Sequence, residues 1–229
     1  DVEIATQNEV SWNESGGLTF TNESKVHSVF PVGGSIQAIQ NSQALTLECW
    51  LQSANNNQIG PARIMTISNG SGTRNASLNQ LNGSFLSRVR TSETGNNGMP
   101  NFTSPENSVD PNALQHVVYT LNAAGEERFY INGELVQTGN REGDFSGWNA
   151  NYRISFGNEI GASRPWMGSL HLAAVYSTAL SEEQVVQNFN ASAYTEVAAM
   201  SEENCGSENC FVNGFGEDER VIWFPSLPN

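Results

Sequence analysis

Basic residues are scarce in this sequence of 229 residues. Lysine and arginine together number 10, against 24 aspartate and glutamate residues, so the formal net charge is −14 at pH 7. Lys25 is the only lysine, and the arginines are scattered along the chain. Binding to a nucleic acid depends on a basic face that neutralises phosphates, so we predict no nucleic-acid partner. An anionic membrane surface is disfavoured for the same reason.

Long hydrophobic runs are also missing. No apolar stretch approaches the roughly 18 residues that a membrane-spanning helix needs, so we predict no membrane insertion. Asp1 follows no visible signal sequence, and we expect a processed form or an excised piece of a longer protein. Hydrophobic residues still make up 38%, enough for a globular core, whereas charged residues make up only 15%. Asparagine, serine, threonine and glycine supply most of the polarity, as in turn-rich β proteins.

Cysteines number three and fall into two kinds. Cys205 and Cys210 close a short polar loop that contains Gly206, and we predict a disulfide between them. A pair of free thiols or half a zinc site is the alternative, although the three histidines show no ligand spacing. Cys49 lies in an apolar alternating run and is expected to be a buried, unreactive thiol.

The disulfide predicts an oxidising setting, and hence an extracellular or cell-surface location. Asn-x-Ser/Thr triplets, which are glycan acceptors in secreted eukaryotic proteins, fit this location without proving it. They begin at Asn13, Asn22, Asn69, Asn75, Asn82, Asn101 and Asn190.

Alternation of apolar and polar residues is the dominant pattern. Short runs such as Ala44 to Gln52, Ser35 to Ile39 and Leu114 to Asn122 have this period of two, and turn-forming residues separate them. The pattern predicts an all-β fold, a two-layer antiparallel β-sandwich of the jelly-roll kind. Asn132-Gly133 between two apolar runs predicts a tight hairpin, because both central residues of a type I′ turn need positive φ.

One segment is typical of a helix. Ser181 is a suitable N-cap, Gln184 completes a capping box, and Val185, Val186 and Phe189 form an apolar stripe. We expect this short C-terminal helix to cap one end of a main domain that spans residues 1–192. Residues 193–229, with the cysteine loop and a strand near Arg220–Phe224, would form an extension that packs back or links onward.

Several segments resemble the laminin G-like and concanavalin A-like jelly-roll domains, in matching order from about residue 12 to residue 192. The matching segments are Leu45–Leu51, Gly60–Ser68, His116–Tyr119, Phe129–Val136, Gly157–Glu159, Arg164–Gly168 and Ala173–Ser181. The resemblance implies two curved antiparallel sheets with a ligand surface on the concave face or at the rim loops, in some members with calcium. Members include sugar-binding modules, protein-binding modules, polysaccharide-degrading enzymes and spacers, so the fold alone does not assign a function. The strand Gly168–Leu172 lacks the acidic pair that many such domains carry, which weakens a calcium site built on that strand.

The sequence contains few residues suited to catalysis. Glycosidases of this fold carry acids that alternate along one strand, with the two catalytic carboxyl groups roughly 5 Å apart. Glu142 and Asp144 are the nearest match, but Ser146 and Trp148 follow them, and the segment is expected to be a loop. His116 is interpreted as a hydrogen-bonded structural histidine. We therefore predict that the chain is not an enzyme.

Sugar binding needs an exposed aromatic ring flanked by polar groups that bond to hydroxyls. The candidate ligand residues are Trp148, Asn149, Asn158, Arg164 and Trp166, all in predicted loops. Both tryptophans have an alternative role, packing over the end of the sandwich. Calcium is a further candidate ligand, with oxygen donors from Asp144, Asn158 and Glu159.

The leading hypothesis is a secreted or cell-surface, non-catalytic lectin-like module that binds a glycan, or a surface protein, through its rim loops. The first alternative is an adhesion or assembly subunit, a homo-oligomer that pairs by strand addition. The second alternative is a polysaccharide-active enzyme with an unrecognised site.

Overall fold

The computed structural model describes residues 4–7, 10–13, 16–21, 24–161, 164–192 and 221–222. These residues form fifteen strands and two helices. In chain order the elements are β1 Ile4–Gln7, β2 Ser11–Trp12, β3 Leu18–Phe20, β4 Lys25–Ser28, α1 Gly33–Ser42, β5 Leu45–Ser53, β6 Ala62–Ser68, β7 Arg74–Leu81, β8 Ser84–Val89, β9 Phe102–Thr103, β10 Gln115–Leu121, β11 Glu126–Ile131, β12 Glu134–Asn140, β13 Arg153–Phe156, β14 Gly168–Tyr176, α2 Glu182–Ala191 and β15 Val221–Ile222.

The strands form two antiparallel sheets. Sheet A has seven strands in the order β1-β4-β13-β6-β7-β8-β9. Sheet B has eight, in the order β12-β11-β10-β5-β14-β3-β2, with β15 pairing with β14. The prediction of an all-β, two-layer antiparallel sandwich is confirmed.

The main core lies between the two sheets. Successive residues of a strand point to opposite faces, so one apolar set per strand turns inward. Leu47 and Cys49 of β5 and Ile67 of β6 belong to this buried cluster, as do Leu78 of β7 and Ile154 of β13. Cys49 is a buried free thiol, as predicted, and burial raises its pKa well above the ordinary value.

The predicted hairpin and capping box are both present. Asn132 and Gly133 connect β11 to β12 with φ of 53° and 79°. At the start of α2, the Gln184 N–H donates to the Ser181 hydroxyl at 3.3 Å, and the Ser181 N–H donates to Gln184 Oε1 at 2.9 Å. The helix packs on the outer face of sheet B, not on the end of the sandwich. There Val185 joins a second apolar cluster, and the ring of Phe189 stacks on Trp50 with centroids 5.7 Å apart.

The structure corrects the expectation for Ser35–Ile39 and describes a short part of the predicted extension. The run Ser35–Ile39 is part of helix α1 and not a strand; Ile36 and Ile39, three residues apart, are both buried on one helical face. In the predicted extension, Val221 and Ile222 pair with Ala174 and Ala173 of β14. The Cys205–Cys210 loop lies outside the described residues. No helix in the described part of the chain is long and apolar enough to span a membrane.

Candidate functional site

The two tryptophans predicted to stack on a sugar are buried. Trp148 is 5% exposed, its ring belongs to the main core, and its Nε1–H donates to the Arg90 carbonyl at 2.7 Å. Trp166 is 0% exposed, and its Nε1–H donates to Gln80 Oε1 at 2.9 Å. Stacking needs an exposed ring face, so the structure contradicts this role for both residues. They pack into the sandwich, which is the alternative that the sequence left open.

The predicted polar partners of the tryptophans mostly shape the backbone. Asn158 is buried, and its Oδ1 accepts from the N–H groups of Glu159 at 2.8 Å and Arg164 at 3.0 Å. Asn149 is half-buried, and its backbone exchanges two hydrogen bonds with the side chain of Asn75. Arg164 is exposed, and its Nη1 donates to the Gly60 carbonyl at 2.8 Å. Of the five predicted ligand residues, Arg164 therefore keeps the most accessible polar side chain.

The three predicted calcium donors are each bonded to other groups of the protein. The Asp144 carboxylate is exposed and accepts from the N–H and hydroxyl of Ser146, which hold its pKa below the ordinary value. Glu159 is fully buried against two arginines, and these guanidinium groups argue against a role as a calcium ligand. Among the residues that the structure describes, no three His, Cys, Asp or Glu side chains could hold a metal together.

His116 lies in a closed polar cluster beneath α2. Its Nε2 is 2.7 Å from Glu48 Oε1, and its ring stacks on Trp50 with centroids 4.9 Å apart. The Tyr176 hydroxyl donates to Glu48 Oε2 at 2.6 Å, and the Asn188 amide donates to both carboxylate oxygens. Because His116 and Glu48 are buried, the cluster offers no access to a substrate. This geometry agrees with the structural role predicted for His116.

A different surface, the outer face of sheet A, carries the polar groups that sequence reasoning missed. Residues directly opposite one another on five neighbouring strands form a polar row across this face. In order they are His27, Ser155, Thr66, Ser77 and Arg88. Their chain neighbours, such as Val26, Ile67 and Leu78, point into the core, so the row points outward.

The middle of this row is a buried hydroxyl layer. Thr66 Oγ1 lies 2.8 Å from Ser155 Oγ and 3.1 Å from Ser68 Oγ. The two ends of the row, His27 and Arg88, are half-buried and reach solvent. Access to the face is therefore through the longer side chains at its margins.

Basic residues concentrate on this side of the molecule. Six of the ten basic residues lie on the outer face of sheet A or on the segment beside it. We name this surface the arginine face, and its members are Lys25, Arg63, Arg74, Arg88, Arg153 and Arg164. Arg63 and Arg74 are buried, and the other four members reach solvent.

A buried ion-pair triad supports the arginine face from below. Arg63 Nε and Arg74 Nη2 each lie 3.1 Å from a carboxylate oxygen of Glu159, and all three side chains are at most 2% exposed. Burial lowers the pKa of Arg63 to about 10, an effect that the charge of Glu159 opposes. Two guanidinium groups share one carboxylate, so the triad retains a net positive charge.

Arg88 is close enough to this triad to interact electrostatically with Arg74 and Glu159. Its Nε donates to Asn101 Oδ1 at 2.7 Å. Burial lowers the pKa of Arg88, and the positive charges of Arg74 and Arg164 lower it further, whereas the negative charge of Glu159 raises it. These cations are therefore close enough to repel one another, and a bound anion would relieve the repulsion. In the sequence, the sign of this face is the polar residues at alternate positions in β6, β7 and β13. These residues can be assigned to one face only when the order of the strands in the sheet is known.

A laminin G-type family model, described as the concanavalin A-like lectin/glucanases superfamily, matches residues 22–186. No curated protein matches the sequence.

Botulinum neurotoxin structures are among the similar solved structures. One is a structure of botulinum neurotoxin type C, which interacts with two ganglioside molecules; it has a TM-score of 0.64 and 15% identity over 83% of this chain and 46% of that chain. Another is the binding domain of botulinum neurotoxin DC in complex with rat synaptotagmin II, with a TM-score of 0.61 and 16% identity over 83% and 47%. This chain therefore spans about half the length of these structures, and at such identity they show the fold alone. Since the family model covers more than half of the sequence, the chain belongs to the concanavalin A-like lectin/glucanases superfamily.

Proposed function

We propose that this chain is a non-catalytic binding module that takes an acidic saccharide on the arginine face of sheet A. The observation that carries the proposal is geometric: Arg63 and Arg74 share the single buried carboxylate of Glu159 at 3.1 Å, while Arg88 is half-buried and Arg164 is exposed on the same side of the molecule. A ligand carboxylate or sulfate would supply the missing negative charge. The site thus differs from the rim loops that the sequence indicated.

The chemistry of the face suits a sugar acid. A guanidinium group binds a carboxylate or sulfate through two parallel hydrogen bonds, which fixes orientation as well as charge. The amide of Asn101 and the imidazole of His27 stand at the margins, where they could bond to ring hydroxyls. Neutral sugars usually stack on an exposed aromatic ring, and the buried tryptophans Trp148 and Trp166 do not offer one.

Two observations favour binding over catalysis. Glu159 is the acid that hydrogen-bonds to the arginines of this face, and two guanidinium groups already hold its carboxylate. Glu142 and Asp144, the predicted alternative pair, lie in the exposed loop after β12. A module that binds saccharides or surface proteins also fits an extracellular or cell-surface location, which we include in the proposal. The ganglioside-binding and synaptotagmin-binding neurotoxins of the same fold are consistent with this use.

The test is titration calorimetry with oligosaccharides of matched length that are neutral, carboxylated or sulfated. We expect acidic ligands to bind, with an affinity that falls as salt rises. Arg88→Ala and Arg164→Ala should each weaken binding by about tenfold or more, the value of a charge-assisted hydrogen bond at an accessible site. Arg128→Ala, which removes an exposed arginine from sheet B, is the matched control and should leave affinity unchanged.

Equal binding of neutral and acidic ligands would contradict the proposal. So would equal losses in the Arg88 and Arg128 variants, because these would show a diffuse charge effect. Release of shorter oligosaccharides from an acidic polysaccharide would replace it with the enzyme hypothesis.

A further inference from the structure

The strand β12 at the edge of sheet B is long and exposed. It pairs with β11, and among the described residues no strand pairs with its other side. Six of its seven residues are exposed and one is half-buried. Backbone N–H and C=O groups along its free side are therefore open to another chain.

The other sheet edges are much shorter. Sheet B ends at its far side with β2, which has two residues, and sheet A ends with β9, of two residues, and β1, of four. Short edge strands are a common protection against unwanted pairing. Among the described terminal strands, β12 is the longest, with seven residues.

The sequence of β12 also lacks the usual blocking residues. It contains neither lysine nor proline, and its one charged residue is Glu134 at the start. Leu135 is 39% exposed. A β-bulge interrupts the pairing with β11 near Leu135, so the regular part of the strand is Gln137–Asn140. Any added strand would pair most readily along this regular part.

We propose that β12 pairs antiparallel with β12 of a second copy of this chain, with Thr138 opposite Thr138 of that copy. In such a twofold dimer one residue must face its own equivalent, and Thr138 is the side chain nearest the middle of the regular part. This register sets Gln137 against Gly139, and the regular part Gln137–Asn140 contains no charged residue. Threonine pairs are favourable across antiparallel strands.

A second copy of this chain fits the edge because the regular part, placed antiparallel to itself, sets no charge against another charge. The dimer joins two eight-stranded sheets B into one continuous sheet through backbone hydrogen bonds. The arginine face of each copy, which lies on sheet A, is left uncovered. This inference goes beyond saccharide binding and does not depend on it, although two linked faces would raise avidity for a polymeric ligand.

Sedimentation velocity of the 229-residue chain, from about 1 to about 100 µM, tests the dimer. We expect the mass to double as concentration rises, and the amide protons of β12 to gain protection from exchange over the same range. Thr138→Lys places two lysines face to face beside Arg128, which lies opposite Thr138 in β11, and should weaken dimerisation at least about tenfold. Adding an equal amount of Thr138→Glu should restore a mixed dimer through opposite charges.

Gln187→Lys is the matched control, because it adds the same charge at an exposed position of α2 away from the edge. It should dimerise as the unmodified chain does, and circular dichroism should show that all variants are folded. A chain that stays monomeric at every concentration would overturn the proposal. A dimer equally insensitive to both lysine variants would overturn it as well, because another surface would then hold the copies together.

Discussion

Neutralising Glu159 should cost this protein a large part of its stability. The Glu159 carboxylate is fully buried and serves both Arg63 and Arg74, at 3.1 Å each. In Glu159→Gln two buried guanidinium groups lose their counter-charge. Removing one partner of a buried ion pair costs about 3 to 5 kcal/mol, because the remaining charge stays desolvated. For a chain of this length that loss lowers the melting temperature by roughly 6 to 20 °C.

Calorimetric or circular-dichroism melting at pH 7 measures this effect. The control is Glu126→Gln, the same chemical change in the ion pair with Arg128, whose side chains are 55% and 39% exposed. Exposed pairs contribute less than about 1 kcal/mol, so the control should melt within a few degrees of the parent. If Glu159→Gln also lost less than about 1 kcal/mol, the buried triad would not stabilise sheet A, and our account of the arginine face would be wrong.

Three further predictions concern buried side chains. Trp148→Ala should destabilise the fold by about 3 to 5 kcal/mol, the range for large core truncations, without weakening saccharide binding by the folded fraction; a selective loss of binding would reinstate the stacking role. Tyr119 donates to Glu127, and its burial raises its pKa well above the ordinary value near 10. The folded state therefore holds the phenol proton more tightly than the unfolded state does. The stability that this proton contributes is present below about pH 10 and is lost as pH rises further. Tyr119→Phe should flatten this alkaline decline of the melting temperature. In the native protein, Cys49 should not react with a thiol reagent. Protein that is denatured without reduction should show one reactive thiol if Cys205 and Cys210 form the predicted disulfide, and three if they do not.

The strands and α2 were predictable because their signals are local. Alternation within a run such as Leu45–Leu51 already separates an inward from an outward set, since side chains change face at each residue. The capping box at Ser181 and the turn at Asn132-Gly133 likewise depend on neighbours a few residues apart. Helix α1 shows the limit of this method, because Ser35–Ile39 is too short a run to separate a period of two from a helical spacing.

The loop tryptophans show what local reasoning misses. Trp148 lies between Gly147 and Asn149, and Trp166 directly follows Pro165; both contexts are typical of exposed loops. Their rings pack into the main core, where acceptors from distant residues, Arg90 and Gln80, bond their indole N–H groups. Those contacts join residues 58 and 86 positions apart, which no short pattern encodes.

The linear order of residues was enough to establish a two-layer β protein of the concanavalin A-like kind, with its turn and its C-terminal helix, because these depend on side-chain periodicity and short-range hydrogen bonds. The arginine face and the free edge of β12 came only from the folded chain. Arg63, Arg88 and Arg164 are far apart in sequence. They come to one side of the molecule because β6 and β8 flank β7 in sheet A and because the segment of Arg164 bonds to Arg63. An edge is defined by the absence of a neighbour, and that is a property of the assembled sheet.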